Sequence, residues 1–151
     1  MPAEIPDDMP VDDFDLSRFL PYALNQAAEA SSVGFQAYYR DRYAMLRTEW
    51  RVLFHLGRYG AMTAKQICER AGLHKTKVSR AVRALETKRY LGRSTQARDR
   101  RHETLSLTRA GQGVYADLFR AAKSYDTALS AHFTPQERAV LDRCLAKIAQ
   151  L

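Results

Sequence analysis

The sequence has few of the residues that build redox, metal or catalytic sites. It contains two cysteines, Cys68 and Cys144, and they form no CxxC motif. Its four histidines are scattered, and no Ser/His/Asp, metal-ligand or phosphate-loop arrangement stands out. The sequence therefore predicts a protein that is not an enzyme and holds no metal or cofactor. We interpret both thiols as inert.

Long apolar runs and a leader-like N-terminus are also missing. No run approaches the roughly 18 apolar residues that span a bilayer, and the first residues are acidic instead of basic and then apolar. We expect a cytoplasmic, reduced protein with no membrane partner. The 151 residues, 46% of them hydrophobic, suit one globular domain with or without an interaction arm.

Acidic residues are nearly absent from the middle of the chain. Between Leu73 and His102 there are ten Lys and Arg against Glu86 and Asp99, whereas the first 15 residues hold six acidic side chains and no Lys or Arg. The formal net charge of +7 hides this asymmetry. Because a merely soluble basic surface would spread its charge more evenly, the cluster predicts a polyanionic partner.

Apolar spacing and capping residues predict a mainly helical chain behind an acidic arm. Residues 1–13, rich in proline and aspartate, are predicted to be mobile. The role of this arm stays open: it shields the basic surface, packs on a partner subunit or does neither. Helical spacing dominates from Phe14 to Tyr43, where Pro21 is a candidate break or kink. Thr48 is predicted to cap a second helix that ends near residues 57–60.

Two short helices joined by a glycine-containing turn come next. Thr63 opens a capping box and predicts a helix from about Ala64 to Arg70, which ends in a tight turn at Ala71-Gly72-Leu73. A further helix is predicted over His74–Lys88. This combination is a helix-turn-helix.

The second of these short helices has two chemically distinct faces. Val78, Val82 and Leu85 recur on one face and are predicted to anchor it. Polar and basic residues on the opposite face and flanks are typical of a recognition helix in the major groove of DNA. A solvated basic face is the alternative, but the capped helix before it and the hairpin after it favour DNA binding. The predicted contacts are Lys75, Thr76, Lys77, Ser79, Arg80 and Arg83.

A β-hairpin with an arginine-rich tip follows. Strands are predicted over Leu91–Thr95 and Glu103–Leu107, joined by a turn over Gln96–His102. Beside a helix-turn-helix such a tip is a wing, which lies along the DNA backbone or in a minor groove that attracts arginine. The predicted wing contacts are Arg98, Asp99, Arg100 and Arg101. Asp99 itself either orients Arg101 or Arg98 by a charge-assisted hydrogen bond or is an ordinary turn residue, and the two roles are compatible.

Two more helices are predicted after the hairpin. Thr108 caps a long helix from about Arg109 to His132. Thr134, with Pro135 at the first helical position and Glu137 at the third, opens the last helix. The apolar side of that last helix carries Val140, Leu141, Leu145, Ile148 and Leu151.

The run from Thr48 to Tyr115 resembles the MarR family of winged helix-turn-helix transcriptional regulators. Val78-Ser79-Arg80 followed by Leu85-Glu86 matches the family's recognition-helix pattern. Asp99-Arg100-Arg101, followed by Leu105-Ser106-Leu107-Thr108 and Gly111, matches the wing and its exit into the long helix. One departure is that the family usually has a glycine after the basic residue that follows "LE", where Arg89-Tyr90-Leu91 stands here. This predicts an altered turn into the wing without loss of the fold.

The resemblance implies a mainly α fold with a small β-hairpin wing, in which residues 48–108 form the DNA-binding lobe. Residues 14–47 and 109–151 then form a helical dimerisation region intertwined with that of a second copy. The expected protein is a homodimeric repressor of transcription with its lobes on a palindromic operator in double-stranded DNA. Arg101 is expected to reach the minor groove. A winged-helix module that binds an acidic protein, or a non-specific architectural DNA-binding protein, remains an alternative.

The resemblance also implies a small aromatic or phenolic effector that binds between the dimer core and the DNA lobe. For each aromatic residue, a place in the core or dimer interface is favoured over a ligand role. Arg51 is expected to pair with an effector carboxylate, with Glu49 or with solvent. The candidate effector residues are Tyr38, Tyr39, Tyr43, Trp50, Arg51, Phe54 and His55.

Overall fold

The computed structural model describes the backbone of residues 14–96 and 99–151 and the side chains of residues 14–95 and 103–151. The predicted arm of residues 1–13 lies outside this range. The chain divides into two compact units between Val33 and Gly34, and each is described by itself. Within the first unit, Asp15 caps a single turn of 3-10 helix, Leu16–Arg18, by accepting a hydrogen bond from the Ser17 amide at 3.0 Å.

The first two α-helices are α1, Leu20–Tyr43, and α2, Arg47–Tyr59. Pro21 lies in the first turn of α1, where a helix tolerates proline, so it marks the start of the helix and not a kink. The prediction that Thr48 caps α2 is wrong, because the cap residue is Leu46 and its amide donates to the Glu49 carboxylate inside the helix.

The helix-turn-helix forms as predicted. α3 spans Ala64–Ala71, and its capping box joins the Gln66 amide to Thr63 Oγ1 at 3.2 Å and the Thr63 amide to Gln66 Oε1 at 2.9 Å. Gly72 ends α3 in the left-handed region at a φ of 62°, a conformation that glycine adopts without strain. α4 spans Lys75–Thr87 with His74 as its cap residue.

The described residues form a small antiparallel sheet. Its strands are β1, Met62–Thr63, β2, Leu91–Gln96, and β3, Asp99–Leu107, in the order β1-β3-β2. The prediction of a turn over Gln96–His102 is wrong, because Gln96 pairs with Asp99 and both strands continue towards the tip. β1 was not predicted, and it joins the sheet through the pairing of Met62 with Leu105.

The last two helices begin at the predicted caps. α5 spans Arg109–Ser130 after Thr108, and α6 spans Pro135–Ala149 after Thr134. The fold is therefore mostly helical with a small sheet, as predicted. In the described part of the chain, no helix is long and apolar enough to cross a membrane. The core that supports the helix-turn-helix includes Val52, Leu53, Leu56, Ile67, Val78, Leu85, Leu91, Leu105 and Leu118.

Candidate nucleic-acid interface

α4 separates an apolar anchor from a polar face. Val78, Val82 and Leu85 are buried, with 0%, 2% and 0% of their surfaces exposed. The core contacts of these side chains fix the rotation of the helix, so the residues between them are turned to solvent. Each of the six predicted contact residues on α4 is exposed: Lys75, Thr76, Lys77, Ser79, Arg80 and Arg83.

Four of these side chains share one stripe of the helix. Thr76, Ser79, Arg80 and Arg83 follow i, i+3, i+4 and i+7 spacing, which places them above one another on an α-helix. All four line a groove of about 400 Å³ between α4 and the wing. The α4 side of the groove therefore carries two cationic groups and two hydroxyls.

The N-terminus of α4 is itself electropositive. Its first turn, which the structure describes completely, contains Lys75 and Lys77 and no acidic residue. His74 caps the turn through its ring, whose Nδ1 accepts from the Thr76 amide at 3.3 Å. Because the free amides at a helix N-terminus carry partial positive charge, this end of α4 can hold phosphate oxygens.

The predicted wing contacts are only partly described. Arg98 lies outside the described residues, and for Asp99, Arg100 and Arg101 the backbone alone is described, in β3. The orienting role of Asp99 stays a prediction. The base of the hairpin is fixed by Leu91 and Leu105, which belong to the core.

Arg93 is a site residue that sequence reasoning missed. From β2 its Nε donates to Glu86 Oε2 on α4 at 2.6 Å, and its Nη1 donates to Glu103 Oε2 on β3 at 2.7 Å. The hydrogen bonds to Glu103 and Glu86 raise the pKa of the guanidinium. The two opposite charges flanking Arg93 were visible in the sequence, but only the fold shows that both face it.

Arg89 explains the departure from the family pattern. Its φ is 64°, in the left-handed region that favours glycine. The amides of Arg89 and Tyr90 donate to Glu86 O at 2.9 Å and Leu85 O at 3.0 Å, which closes the C-terminus of α4. The chain thus uses an arginine where the backbone conformation suits a glycine.

This chain is similar in sequence and in fold to known proteins. Residues 45–102 match the MarR family model. The HTH-type transcriptional regulator YwaE of Bacillus subtilis (strain 168) is 27% identical over 142 residues, which cover 93% of this chain and 83% of YwaE. A MarR/EmrR family transcriptional regulator from Acinetobacter sp. ADP1 superposes with a TM-score of 0.80 at 26% identity, covering 91% of this chain and 96% of that one.

The match over residues 45–102, the curated relative and the solved structure confirm the predicted resemblance to the MarR family. The relatives of this chain are transcriptional regulators, so the prediction of a DNA-binding regulator that is not an enzyme is confirmed. The fold is shared with Bordetella bronchiseptica BpsR, at a TM-score of 0.82, 20% identity and 91% and 98% coverage of the two chains. DNA binding by BpsR is regulated by 6-hydroxynicotinic acid.

The aromatic candidates for effector binding pack mainly on one another. Tyr39 is buried, and its ring lies 5.9 Å from that of Trp50 and 5.4 Å from that of Phe35. Trp50 meets Phe54 edge to face at 5.5 Å, and Phe54 meets Tyr115 on α5 at 5.3 Å. The favoured interpretation was a place in the core or dimer interface, and the burial of Tyr39 agrees with a place in the core for this residue.

The hydroxyls of Tyr38 and Tyr43 converge on Asp117 of α5. Tyr38 donates to both carboxylate oxygens at 3.1 Å, and Tyr43 donates to Oδ2 at 2.5 Å. Burial and the bond to Asp117 raise the pKa of Tyr43 to about 12. The hydrogen bond from Tyr43 lowers the pKa of Asp117. Asp117, which sequence reasoning missed, therefore joins the C-terminal end of α1 to α5.

Arg51 and Glu49 have partners other than those predicted. Arg51 Nη2 donates to Ala71 O at 2.6 Å, so it binds the last carbonyl of α3, and Arg51 O lies 2.7 Å from His55 Nδ1. Glu49, 4% exposed, pairs with Lys88 Nζ at 3.5 Å. Pairing with Glu49 was one of three alternatives for Arg51, and the structure shows each of these side chains bound at an end of the helix-turn-helix instead.

The two cysteines lie in different environments. Cys68 is half-buried on α3 and Cys144 is exposed on α6. Cys68 lines a recess of about 370 Å³ beside Lys65 and Lys75. The side chain of Cys68 packs against the core, as expected for a small apolar group on a helix.

Proposed function

We propose that the chain is a homodimeric repressor that binds a palindromic operator through α4 and the wing and is released by a small aromatic acid. The observation that carries the proposal is the face of α4, where three fully or nearly fully buried aliphatic anchors oppose six exposed polar and basic side chains. In this proposal residues 48–108 are the DNA-binding lobe, and residues 14–47 and 109–151 form the dimerisation region.

The side chains of α4 divide into base-reading and phosphate-binding groups by position. Arg80 and Arg83 lie in the groove beside the wing and suit bidentate contacts with guanine. Lys75 and Lys77 lie in the first turn and suit phosphates. Thr76 and Ser79 can serve either target. In the wing, Arg98 and Arg100 are proposed backbone contacts and Arg101 the minor-groove contact, with Asp99 as its orienting partner.

Dimerisation is supported by the apolar side of α6. Val140 and Leu145 are 47% and 44% exposed. An apolar stripe of this kind on a single chain is typical of a surface covered by another protein. In a symmetric dimer the two α4 helices would enter successive major grooves about 34–36 Å apart.

A DNA titration with charge-matched variants tests this function. The probe is a duplex selected by the wild-type protein from a random-sequence pool, and the competitor is a shuffled duplex. Arg80→Ala and Arg101→Ala should each weaken binding to the selected duplex about 5–150-fold, equivalent to roughly 1–3 kcal/mol per lost base contact. Arg143→Ala removes the same charge from the polar side of α6 and should leave affinity nearly unchanged.

The salt dependence and the competitor separate the alternatives. For the wild type, log K should fall with log salt by about 0.9 for each phosphate neutralised. Equal affinity for selected and shuffled duplexes would indicate a non-specific architectural protein. A flat salt profile, with binding to an acidic protein instead, would indicate a protein-interaction module.

Release by an effector is proposed from the aromatic cluster of α1, α2 and α5 and by analogy with BpsR. The residues proposed to surround the effector are Tyr38, Tyr39, Tyr43, Trp50, Arg51, Phe54 and His55. A ligand shifts the protein towards the DNA-incompetent state only if it binds that state more tightly. A thermal-shift screen of aromatic acids, phenols and their thioesters should give a stabilising compound that also releases the selected duplex. A compound that stabilises the protein without releasing DNA would contradict this role.

A further inference from the structure

We propose that Arg93 is a positioning residue, which holds the wing against the recognition helix by bridging Glu86 and Glu103 and does not bind phosphate itself. The proposal rests on the DNA-binding function proposed above and extends it to the geometry of the wing. We call the three side chains the wing brace.

The wing brace joins three elements through one guanidinium group. Glu86 lies on the last turns of α4, Arg93 on β2 and Glu103 on β3. Arg93 offers Nε to one carboxylate and Nη1 to the other, at 2.6 and 2.7 Å. Since the two nitrogens belong to one rigid plane, the two bonds together fix the direction of the wing as well as its distance from α4.

The stability that such exposed pairs add is small. The side chains of Arg93, Glu86 and Glu103 are 41%, 41% and 46% exposed. Exposed ion pairs add little to the stability of a fold, because water screens them and two long side chains must be ordered. The hydrophobic contacts of Leu91 and Leu105 already fasten the base of the hairpin. The brace therefore acts on the orientation of the wing more than on folding.

The wing brace adds negative charge beside the two arginines of α4. Arg93 and Glu103 line the same groove as Arg80 and Arg83. Two carboxylates for one guanidinium leave the brace with a net negative charge, which repels phosphate. A pure phosphate contact would leave Arg93 free of these carboxylates. An arginine held by two short bonds suits support of the wing.

The position of the brace amplifies its effect at the tip. Arg93 pairs with Leu105, and β2 extends to Gln96. Three further residues at about 3.3 Å each place the end of β2 roughly 10 Å beyond the brace. A small tilt at Arg93 therefore displaces the tip by a larger distance. The arginines of the tip depend on this placement to meet the DNA.

Neutralising the two carboxylates tests the proposal, because the wing brace and a simple charge effect predict opposite changes in DNA affinity. If only charge matters, Glu86→Gln and Glu103→Gln tighten binding to the selected duplex, because each removes a negative group near DNA. The brace predicts the reverse: about fivefold weaker binding to the selected duplex, equivalent to ~1 kcal/mol, with shuffled duplex bound equally or more tightly. Glu69→Gln is the matched control, since Glu69 lines the neighbouring recess beside Lys65 and Lys75. It should tighten both duplexes.

Arg93→Gln separates positioning from phosphate contact. Its loss of affinity should equal or exceed that of either glutamate variant, and adding Glu103→Gln to it should cost little more. The salt slope should stay at the wild-type value, whereas a lost phosphate contact lowers it by about 0.9. Without DNA, amide hydrogen exchange in β2 and β3 should be faster in Arg93→Gln, while exchange in α5 is unchanged.

The outcomes are distinct. Tighter binding by Glu86→Gln and Glu103→Gln, a reduced salt slope in Arg93→Gln, or unchanged wing exchange would each overturn the wing brace. Failure of the wild type to prefer the selected duplex would instead overturn the proposed function. The exchange measurement would still decide whether the brace holds the wing.

Discussion

α4 and α6 are amphipathic helices of similar length, 13 and 15 residues, but only α4 buries its apolar face within the chain. α4 buries Val78, Ala81, Val82 and Leu85 within its own chain. Every residue of α6 is described and none is buried. Both helices carry an apolar stripe in the sequence, so the stripe predicts that a helix has a covered face without telling which molecule covers it.

This difference predicts that the two helices contribute to stability in different ways. The core under α4 is complete in one chain, so its stability is independent of protein concentration. In the proposed dimer, the apolar side of α6 is covered only on association, so its contribution depends on concentration. Substitutions on the two helices should therefore respond differently to dilution.

The largest expected effect comes from truncating the two stripes in parallel. Leu85→Ala on α4, where the side chain is 0% exposed, should destabilise the fold by about 2–5 kcal/mol at every concentration. Leu145→Ala on α6 should raise the dimer dissociation constant with little change in the unfolding of dilute protein. Denaturant unfolding at two concentrations, with analytical ultracentrifugation, measures both. Equal losses for the two variants in dilute protein would contradict the comparison.

Two glycines on α5 test how closely this helix packs against the backbone of Tyr90. A Cβ on Gly111 would lie 2.0 Å from the backbone oxygen of Tyr90, whereas a Cβ on Gly113 meets nothing within 4 Å. Gly111→Ala should therefore lower the free energy of unfolding by about 1–3 kcal/mol, because the backbone at Tyr90 or in α5 must move to make room for the methyl group. Gly113→Ala is the matched control and should stabilise α5 by about 0.5–1 kcal/mol. Thermal unfolding of both variants decides, and a tolerated Gly111→Ala would contradict the contact.

A substitution just after the C-terminus of α4 should increase the stability of the lobe. Arg89→Gly should stabilise the lobe by about 0.5–1 kcal/mol, because relief of the left-handed backbone outweighs the added flexibility of the unfolded chain. Thr87→Gly is the control. Thr87 is the last residue of α4, so a glycine there should slightly lower the stability of the lobe. Chemical denaturation measures both, and destabilisation by Arg89→Gly would show that the arginine side chain has contacts of greater value.

The smallest effect should appear at alkaline pH, at the contact between α1 and α5. The pKa of Tyr43 is raised from 10.0 to about 12, so folding favours the neutral phenol. The stabilisation from this phenol is present below pH 10 and is lost as the pH rises towards 12. Tyr43→Phe should flatten stability in this window, and tyrosinate absorbance should show one fewer late-titrating tyrosine. A pH profile equal to that of the wild type would contradict the assignment.

Local signals in the sequence predicted local structure well. The caps at Thr63, Thr108 and Thr134 form as expected, because each depends on residues within three positions of the cap. Thr48 misled for a related reason: the hydrogen bond between Glu49 and the Leu46 amide places the cap of α2 two residues earlier, at Leu46. β1 could not be predicted from two residues, since it exists only through its pairing with β3.

The candidate site could be predicted only where a helix periodicity defines it. The exposed face of α4 follows from Val78, Val82 and Leu85 alone. Arg93, Asp117 and Lys88 were missed because their partners are distant in sequence or set by strand register. No pattern in the sequence indicates which of many exposed charges lie within hydrogen-bond distance of one another.

Tyr90 is the point where the wing leaves the helices and where it returns. Its amide donates to Leu85 O at 3.0 Å, and its carbonyl accepts from the Thr108 amide at 3.0 Å. The wing is thus a closed loop of the chain, and Tyr90 holds both of its ends by hydrogen bonds. A closed segment can change its length or its tip without moving the frame to which it is attached. A hairpin grafted from a relative at this junction should therefore leave the helices in place.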